Sequence, residues 1–396
     1  MQYAQRIDEQ SSSNLEALLA APKAGQVSFA GGLPDPDLFP EAELATGFAE
    51  AISQSGDTCL QYNSAAGYLP LREKVAQHLQ RSGVPATADS LMLTQGAQQA
   101  LDLIGRLFID PGTNVVVEGP TYAGALAAFN AYQPHYLTVP VRPDGMDMGI
   151  LKTQVQQHDV RLVYTVPDFQ NPTGTVMSLT KRQQLLALAE QYDFMIVEDA
   201  PYRDLRYKGV TMPSLYELDH KDRVIHVGSF SKILSPGLRL GWLSANPELL
   251  TRLIDLKNGA DLESSNLMMR GIDNYLQAND LSAHIEQLRQ SYARKCQTMV
   301  TTLQTNLPGN VQCSNPDGGF FVWLQLPRNM NTETILATCS DDVTFVPSTT
   351  LYASGADKSG MRLAFTNPSV TEIKRGAAIL ANTISRAMTG AVAQAN

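Results

Sequence analysis

From residue 91 onward, short apolar runs alternate with longer amphipathic stretches, and this alternation most narrows the folds open to the chain. The runs are residues 91–94, 114–118, 161–166, 194–198, 224–229 and 238–244, with helical patterns such as 98–109 and 179–192 between them. Runs this short are strand length and the intervening pieces suit helical crossovers, so the pattern predicts βα units around a mostly parallel sheet. Ligands of such sheets collect beyond the carboxyl ends of the strands, which makes the residues just after each run the first place to look for chemistry.

Downstream the pattern changes. Residues 281–307 predict one long polar helix, and strand-like 319–326 and 361–366 follow it with helices between, a second and smaller α+β domain. Gly31-Gly32-Leu33-Pro34-Asp35-Pro36 is punctuated too heavily for regular structure and reads as an arm lying over something else. The expected division is an N-terminal arm over 1–45, a large α/β domain over 46–280, and a small domain over 281–396 that part of the arm completes.

The 396 residues, 43% of them hydrophobic, are ample for a large core. With 30 Lys and Arg against 39 Asp and Glu, the formal charge of -9 is a poor match to nucleic acid or an anionic membrane, and neither partner is expected. Residues 1–14 carry no apolar signal-peptide core and no run of about 18 uncharged apolar residues occurs, so the default location is the cytoplasm. The four cysteines, Cys59, Cys296, Cys313 and Cys339, form no C-x-x-C pair, and the six histidines show no H-x-x-x-H spacing. Free, mostly buried thiols and no metal site follow.

The most informative stretch is Ser229-Phe230-Ser231-Lys232-Ile233-Leu234-Ser235-Pro236-Gly237-Leu238-Arg239-Leu240-Gly241. A lysine amine becomes nucleophilic when desolvation or a neighbouring cation lowers its pKa, which favours imine formation with an aldehyde. Ser229, Ser231 and Arg239 beside it look like a cradle for a dianion, two hydroxyls and one guanidinium suited to phosphate oxygens. A solvated loop lysine with Arg239 in a structural ion pair is the bland alternative, and the company Lys232 keeps argues against it.

This stretch, S-x-S-K-x-x-x-P-G-x-R-x-G, resembles the fold-type I pyridoxal 5'-phosphate enzymes, and more narrowly the class I/II aminotransferases of the 2-aminoadipate and kynurenine aminotransferase group. The resemblance runs from Gly31 to Asn367. It implies a large domain whose mostly parallel mixed sheet is sandwiched by helices, a smaller α+β domain, and Lys232 as the residue that holds the cofactor aldehyde. Asp199, in Asp199-Ala200-Pro201-Tyr202 at the end of a predicted strand, then pairs with the pyridine nitrogen, and Tyr202 hydrogen-bonds the ring's phenolic oxygen. Asn171, in Gln170-Asn171-Pro172-Thr173-Gly174, matches a second donor to that oxygen. Taken alone, Asp199 also reads as a helix N-cap and Asn171 as part of an ordinary turn.

Gly96, Ala97 and Gln98 match the phosphate loop at a helix N-terminus, where free N–H groups and the helix dipole favour an anion. Ala97 stands where many relatives carry Ser, leaving backbone N–H to serve alone. Tyr122 matches the aromatic that stacks on the pyridine, and Tyr62 a tyrosine that reaches the cofactor phosphate of the neighbouring subunit, which implies a homodimer with shared active sites. Arg362 sits alone in an apolar strand and needs an anion, for which the α-carboxylate of the substrate fits a planar fork. Gly31 and Gly32 match the arm that closes over substrate. Asp168 departs from the neutral residue the resemblance places there and adds a charge near the substrate mouth.

The implied activity is transamination between an L-amino acid and a 2-oxo acid such as 2-oxoglutarate or pyruvate, the cofactor alternating with pyridoxamine 5'-phosphate. Donors of aliphatic, aromatic or 2-aminoadipate type suit the arm. Two rivals share the scaffold. One is another pyridoxal-phosphate reaction, a β- or γ-elimination or aminocyclopropane-carboxylate synthesis. The other is a ligand-sensing transcription regulator, whose basic winged-helix module neither the acidic balance nor the start of the resemblance near Ser28 favours.

Overall fold

The computed structural model describes residue 6, residues 22–355 and residues 357–395. The rest of the expected arm before residue 22 lies outside the described residues. Among them the strands are β1 (Val27–Ser28), β2 (Leu91–Thr94), β3 (Asn114–Gly119), β4 (His135–Arg142), β5 (Gly145–Met146), β6 (Val160–Thr165), β7 (Met195–Asp199), β8 (Val224–Ser229), β9 (Gly241–Ser244), β10 (Gln312–Cys313), β11 (Phe321–Gln325), β12 (Val343–Thr344), β13 (Val346–Pro347) and β14 (Gly360–Ala364).

The large sheet has the order β2-β9-β8-β7-β6-β3-β4-β5. Its centre, β4 to β8 through β3, β6 and β7, is parallel, while β2, β9 and β5 run antiparallel to their neighbours. β7 and β8 are buried along almost their whole length, which is why they read as continuous apolar runs: helices cover both faces. The fold is thus the expected mixed, mostly parallel α/β sheet. β4 escaped the sequence reading because it lies next to the edge, is only partly buried, and contains Pro140, which a central strand would exclude. Only the last four residues of the expected run 238–244 form β9. Residues 236–238 make a 3₁₀ turn and Arg239 adopts a left-handed φ of 46°, bending the chain into the strand.

The second sheet, β10-β11-β14-β13, is antiparallel and packs beneath the helix Leu281–Asn306. Asp280 caps that helix, whose apparently polar sequence still presents a buried stripe of Ile285, Leu288, Tyr292, Met299 and Leu303 at spacings of three, four and seven. β1 pairs in parallel with β12, tying the described part of the arm to this smaller unit. Cys59, Cys296 and Cys339 are buried free thiols and Cys313 is partly buried. No helix among the described residues is long and apolar enough to cross a membrane.

Gly228 shows how closely β8 and β9 approach. A Cβ there would lie 2.4 Å from the ring of Trp242, which is opposite it in register and packs edge-on against Phe230. Gly228→Ala is therefore expected to lower stability by about 1–3 kcal/mol through overpacking, read as a fall in the urea midpoint. An unchanged midpoint would show that the tryptophan moves freely.

Candidate active site

The carboxyl ends of β7 and β8 place Asp199 and Lys232 side by side. Lys232 lies just beyond β8 on a turn whose residues Phe230, Ile233 and Leu234 are buried, so the amine is carried into the protein rather than out to water. Its Nζ donates to the carbonyl of Gly32 at 2.7 Å and lies 5.4 Å from the centre of the Phe320 ring. Burial, then the guanidiniums of Arg362 and Arg239, hold the amine down at about 8 against the opposing pull of Asp199. An amine in that range is a competent nucleophile near neutral pH.

Asp199 ends β7, only 2% exposed. Burial pushes its carboxyl up to about 6, opposed by a hydrogen bond from Tyr164 and by the charges of His226 and Lys232. Its Oδ2 accepts from the Tyr164 hydroxyl at 2.7 Å, and its Oδ1 is buried with no hydrogen-bond partner. An orphaned carboxylate oxygen is costly unless a donor comes to it. Tyr164 was not anticipated. A tyrosine inside a mostly aliphatic, mostly buried strand was the available signal, because its hydroxyl has to find a partner.

Arg362 on β14 meets this group from the other side. Its Nη1 donates to Asn171 Oδ1 at 2.9 Å, its Nη2 to the carbonyl of Ala30 at 2.5 Å, and its guanidinium lies 4.4 Å from the centre of the Phe321 ring. The expected anion is not supplied by these partners, which are neutral, and Nε has no partner. Asn171 Nδ2 donates in turn to the Tyr202 hydroxyl at 3.4 Å. Tyr202 packs on Phe320 and Phe321, and burial raises its hydroxyl well above the ordinary range. Gly32 leaves the space taken by Phe321, whose ring would be 2.9 Å from a Cβ there. Lys232, Asp199, Tyr202, Asn171, Arg362 and the Gly31-Gly32 arm therefore come together.

The anion cradle is built at the start of the helix Gly96–Phe108. Gly96 has φ 72°, and a Cβ on it would be 2.8 Å from an Arg239 guanidinium nitrogen. Ser229 Oγ donates to Ser231 Oγ at 2.9 Å, and the Arg239 Nη2 reaches the carbonyl of Gln95 at 3.3 Å. The Gln98 side chain turns away to the carbonyl of Gly124 at 2.7 Å, leaving its backbone N–H for the cradle. Tyr122 precedes the helix Ala123–Asn130, and burial pushes its hydroxyl up to about 12. Tyr62 stands apart at the surface, 75% exposed.

Asp168 does not charge the substrate mouth. It is 1% exposed and held by Arg182 Nη2 at 2.7 Å and Arg203 Nη1 at 3.0 Å, so its charge is matched inside the protein. Glu118, likewise buried, accepts from Thr165, Gln170 and the Val166 N–H, which ties the Asn171 turn to the end of β3.

A buried amine, an orphaned carboxylate oxygen and a hydroxyl-lined cradle with one arginine fit an aldehyde-bearing heterocycle with a cationic ring N–H and a phosphate. Comparison with known proteins agrees. Residues 25–380 match the family model for aminotransferase class I and II. The chain is 38% identical to the aromatic-amino-acid aminotransferase 1 of Thermococcus litoralis over 91% of its own length and 88% of that protein. LysN, the alpha-aminoadipate aminotransferase of Thermus thermophilus solved with N-(5'-phosphopyridoxyl)-L-leucine, superposes with a TM-score of 0.91 at 35% identity over 98% of each chain. The kynurenine aminotransferase of Pyrococcus horikoshii, solved with PMP and kynurenine, gives a TM-score of 0.91 at 37% identity over 97% of each. With the family model spanning most of its length and relatives this similar across nearly all of it, the chain belongs to the class I and II aminotransferases.

Proposed function

We propose that this pyridoxal-phosphate-dependent aminotransferase takes the amino group of aliphatic, aromatic or 2-aminoadipate-like L-amino acids and passes it to a 2-oxo acid such as 2-oxoglutarate or pyruvate. The convergence of the Lys232 amine with the orphaned Oδ1 of Asp199 carries this reading. The relatives' names span aromatic amino acids, kynurenine and aminoadipate, and one of them holds a leucine adduct, which supports a broad donor range.

When bound, the cofactor supplies the aldehyde that receives the amino group and a ring that accepts the electrons freed when the α-proton leaves. The chain's residues do the rest. Lys232 Nζ would hold the aldehyde carbon and, when its amine is free, would take the substrate α-proton and return it as a general acid. Asp199 Oδ1, which has no partner of its own, would accept from the ring nitrogen and keep it protonated. Tyr202 and Asn171 would donate to the phenolic oxygen, and Tyr122 would flank the ring. Gly96, Ala97 and Gln98 offer backbone N–H groups to the phosphate, joined by Ser229, Ser231 and Arg239. Arg362 receives the substrate α-carboxylate, whose oxygens match its fork, while Gly31 and Gly32 let the arm lie close over it.

Three distinct parts serve this site: an arm to residue 45, the large domain to 280, and the small domain that carries Arg362. Tyr62, exposed in the single chain, suits a contact made in trans to the phosphate of a second subunit. The active unit is then a homodimer.

Three measurements test the reading. Wild-type holoenzyme given a suitable amino acid without acceptor should release one 2-oxo acid per site, and Lys232→Ala none; turnover by that variant would end the proposal. In cofactor-free protein the Lys232 amine loses its proton as pH rises through about 8, so its labelling by an amine-reactive reagent, followed by peptide mass spectrometry, should rise there. A midpoint near the ordinary lysine value of about 10.4 would mean a solvated amine. Mixed Tyr62→Ala and Lys232→Ala subunits should recover activity that neither homodimer has, and verified heterodimers without recovery would show unshared sites.

A further inference from the structure

The two oxygens of Asp199 are treated unequally, and the difference traces to one side chain outside the cofactor-binding set. Tyr164 lies on β6 directly opposite Val197 of β7, which makes Asp199 its diagonal neighbour on the same face of the sheet. The tyrosine is fully buried, and its ring packs edge-on against Phe129 with centroids 5.9 Å apart. So fixed, its hydroxyl donates to Oδ2 at 2.7 Å and leaves Oδ1 bare.

The titratable groups that act on Asp199 or are acted on by it are Lys232 from the turn after β8, Tyr122 from the loop after β3, Tyr202 from the turn after β7, and His226 of β8, which lies opposite Glu198 in register. His226 gives its Nδ1 to Glu198 at 3.1 Å and acts on Asp199 only through its charge. Among the described residues, Tyr164 is the side chain that hydrogen-bonds this carboxylate. We infer that Tyr164 is a positioning residue for transamination, its hydroxyl fixing the Asp199 rotamer and holding the carboxylate ionised so that Oδ1 is the oxygen presented to the cofactor ring nitrogen. The inference rests on the role proposed for Asp199 above.

The physics is direct. A buried carboxylate with no donor lowers its free energy by binding a proton, whereas a donor to the charged form opposes that. A neutral acid at this place would no longer retain the ring proton, and the ring would accept carbanion electrons less well. Burial already pushes the Asp199 carboxyl up to about 6, so little further loss of stabilisation brings its titration into the neutral range.

The test compares Tyr164→Phe holoenzyme with wild type. Removing a hydrogen bond to a charged group is expected to lower kcat about ten- to hundredfold, with the KM for amino acid held within about threefold, because the Arg362 contacts are intact. Asp199 works in its ionised form, so activity fails as pH falls through its pKa. A raised pKa therefore moves the acid limb of kcat upward by about one pH unit, equivalent to a tenfold effect. Bound cofactor, followed by its absorbance after gel filtration, should also leave about tenfold faster. Incorporating 3-fluorotyrosine at position 164, a more acidic and stronger donor, should move the limb the opposite way, and it decides the matter alone if the phenylalanine variant does not fold.

An acid limb and a cofactor-release rate that stay at wild-type values overturn the inference, as does a loss shared equally by kcat and KM with no pH shift, which would mark Tyr164 as packing only. Asp199→Asn separates the two levels of the reading. If it is impaired while both position-164 variants match wild type, only the role of Tyr164 fails; if wild type retains no pyridoxal phosphate, the proposed function itself fails.

Discussion

The placement of one amine out of water governs this protein. Lys232 emerges where β8 ends, between two guanidiniums and a carboxylate, and the buried residues around it leave its charge poorly solvated. Desolvation and like charge disfavour the ammonium, while Asp199 partly restores it, so the lysine is reactive without being stripped of its proton at every pH. The same burial acts in reverse on Asp199, whose carboxyl rises as the Lys232 amine falls. Opposite displacements of two adjacent titratable groups are what acid–base chemistry near neutral pH requires.

Holding this arrangement is the task of the arm and the smaller sheet. The Ala364 N–H donates to the carbonyl of Phe29, Arg362 to that of Ala30, and Thr366 to that of Leu33, so the arm is tied at three points to β14 and the residues just after it. Asp35 closes the row with a 2.6 Å ion pair to Lys295 of the long helix, and that lysine also donates to the Thr366 carbonyl. Both charges are largely buried and hydrogen-bonded, the condition under which a buried pair can hold a geometry in place. Because the Gly32 carbonyl accepts from Lys232, the arm links the smaller sheet to the lysine turn of the larger one.

A second charged network lies under the opposite side of the site. Arg182, fully buried, donates to Asp168 and lies 3.8 Å from Glu198, which in turn accepts from the backbone of Leu215 and Tyr216 and pairs with His226. Glu198 is the neighbour of Asp199 along β7, yet its side chain points to the other face of the sheet, as alternation demands. Its carboxyl is held down at about 2, despite burial, by His226 and the arginines. Two adjacent carboxylates thus titrate in different ranges because each faces a different set of donors.

Much of this was legible in the chain itself. The apolar runs marked the core strands of the larger sheet to within a few residues, and the spacing around Lys232 carried the chemistry, since a lysine between hydroxyls and Pro-Gly-x-Arg has few other uses. What residue order dictates is local: periodicity, caps, turns, and the residue types a given reaction needs. The strand β4 next to the sheet edge, the double arginine clamp that neutralises Asp168, the orphaned oxygen of Asp199 and the hydroxyl of Tyr164 that leaves it so arise only once the chain has folded. Each depends on distances between residues far apart in the chain, and on the desolvation that follows when the sheet, its helices and the arm close around them.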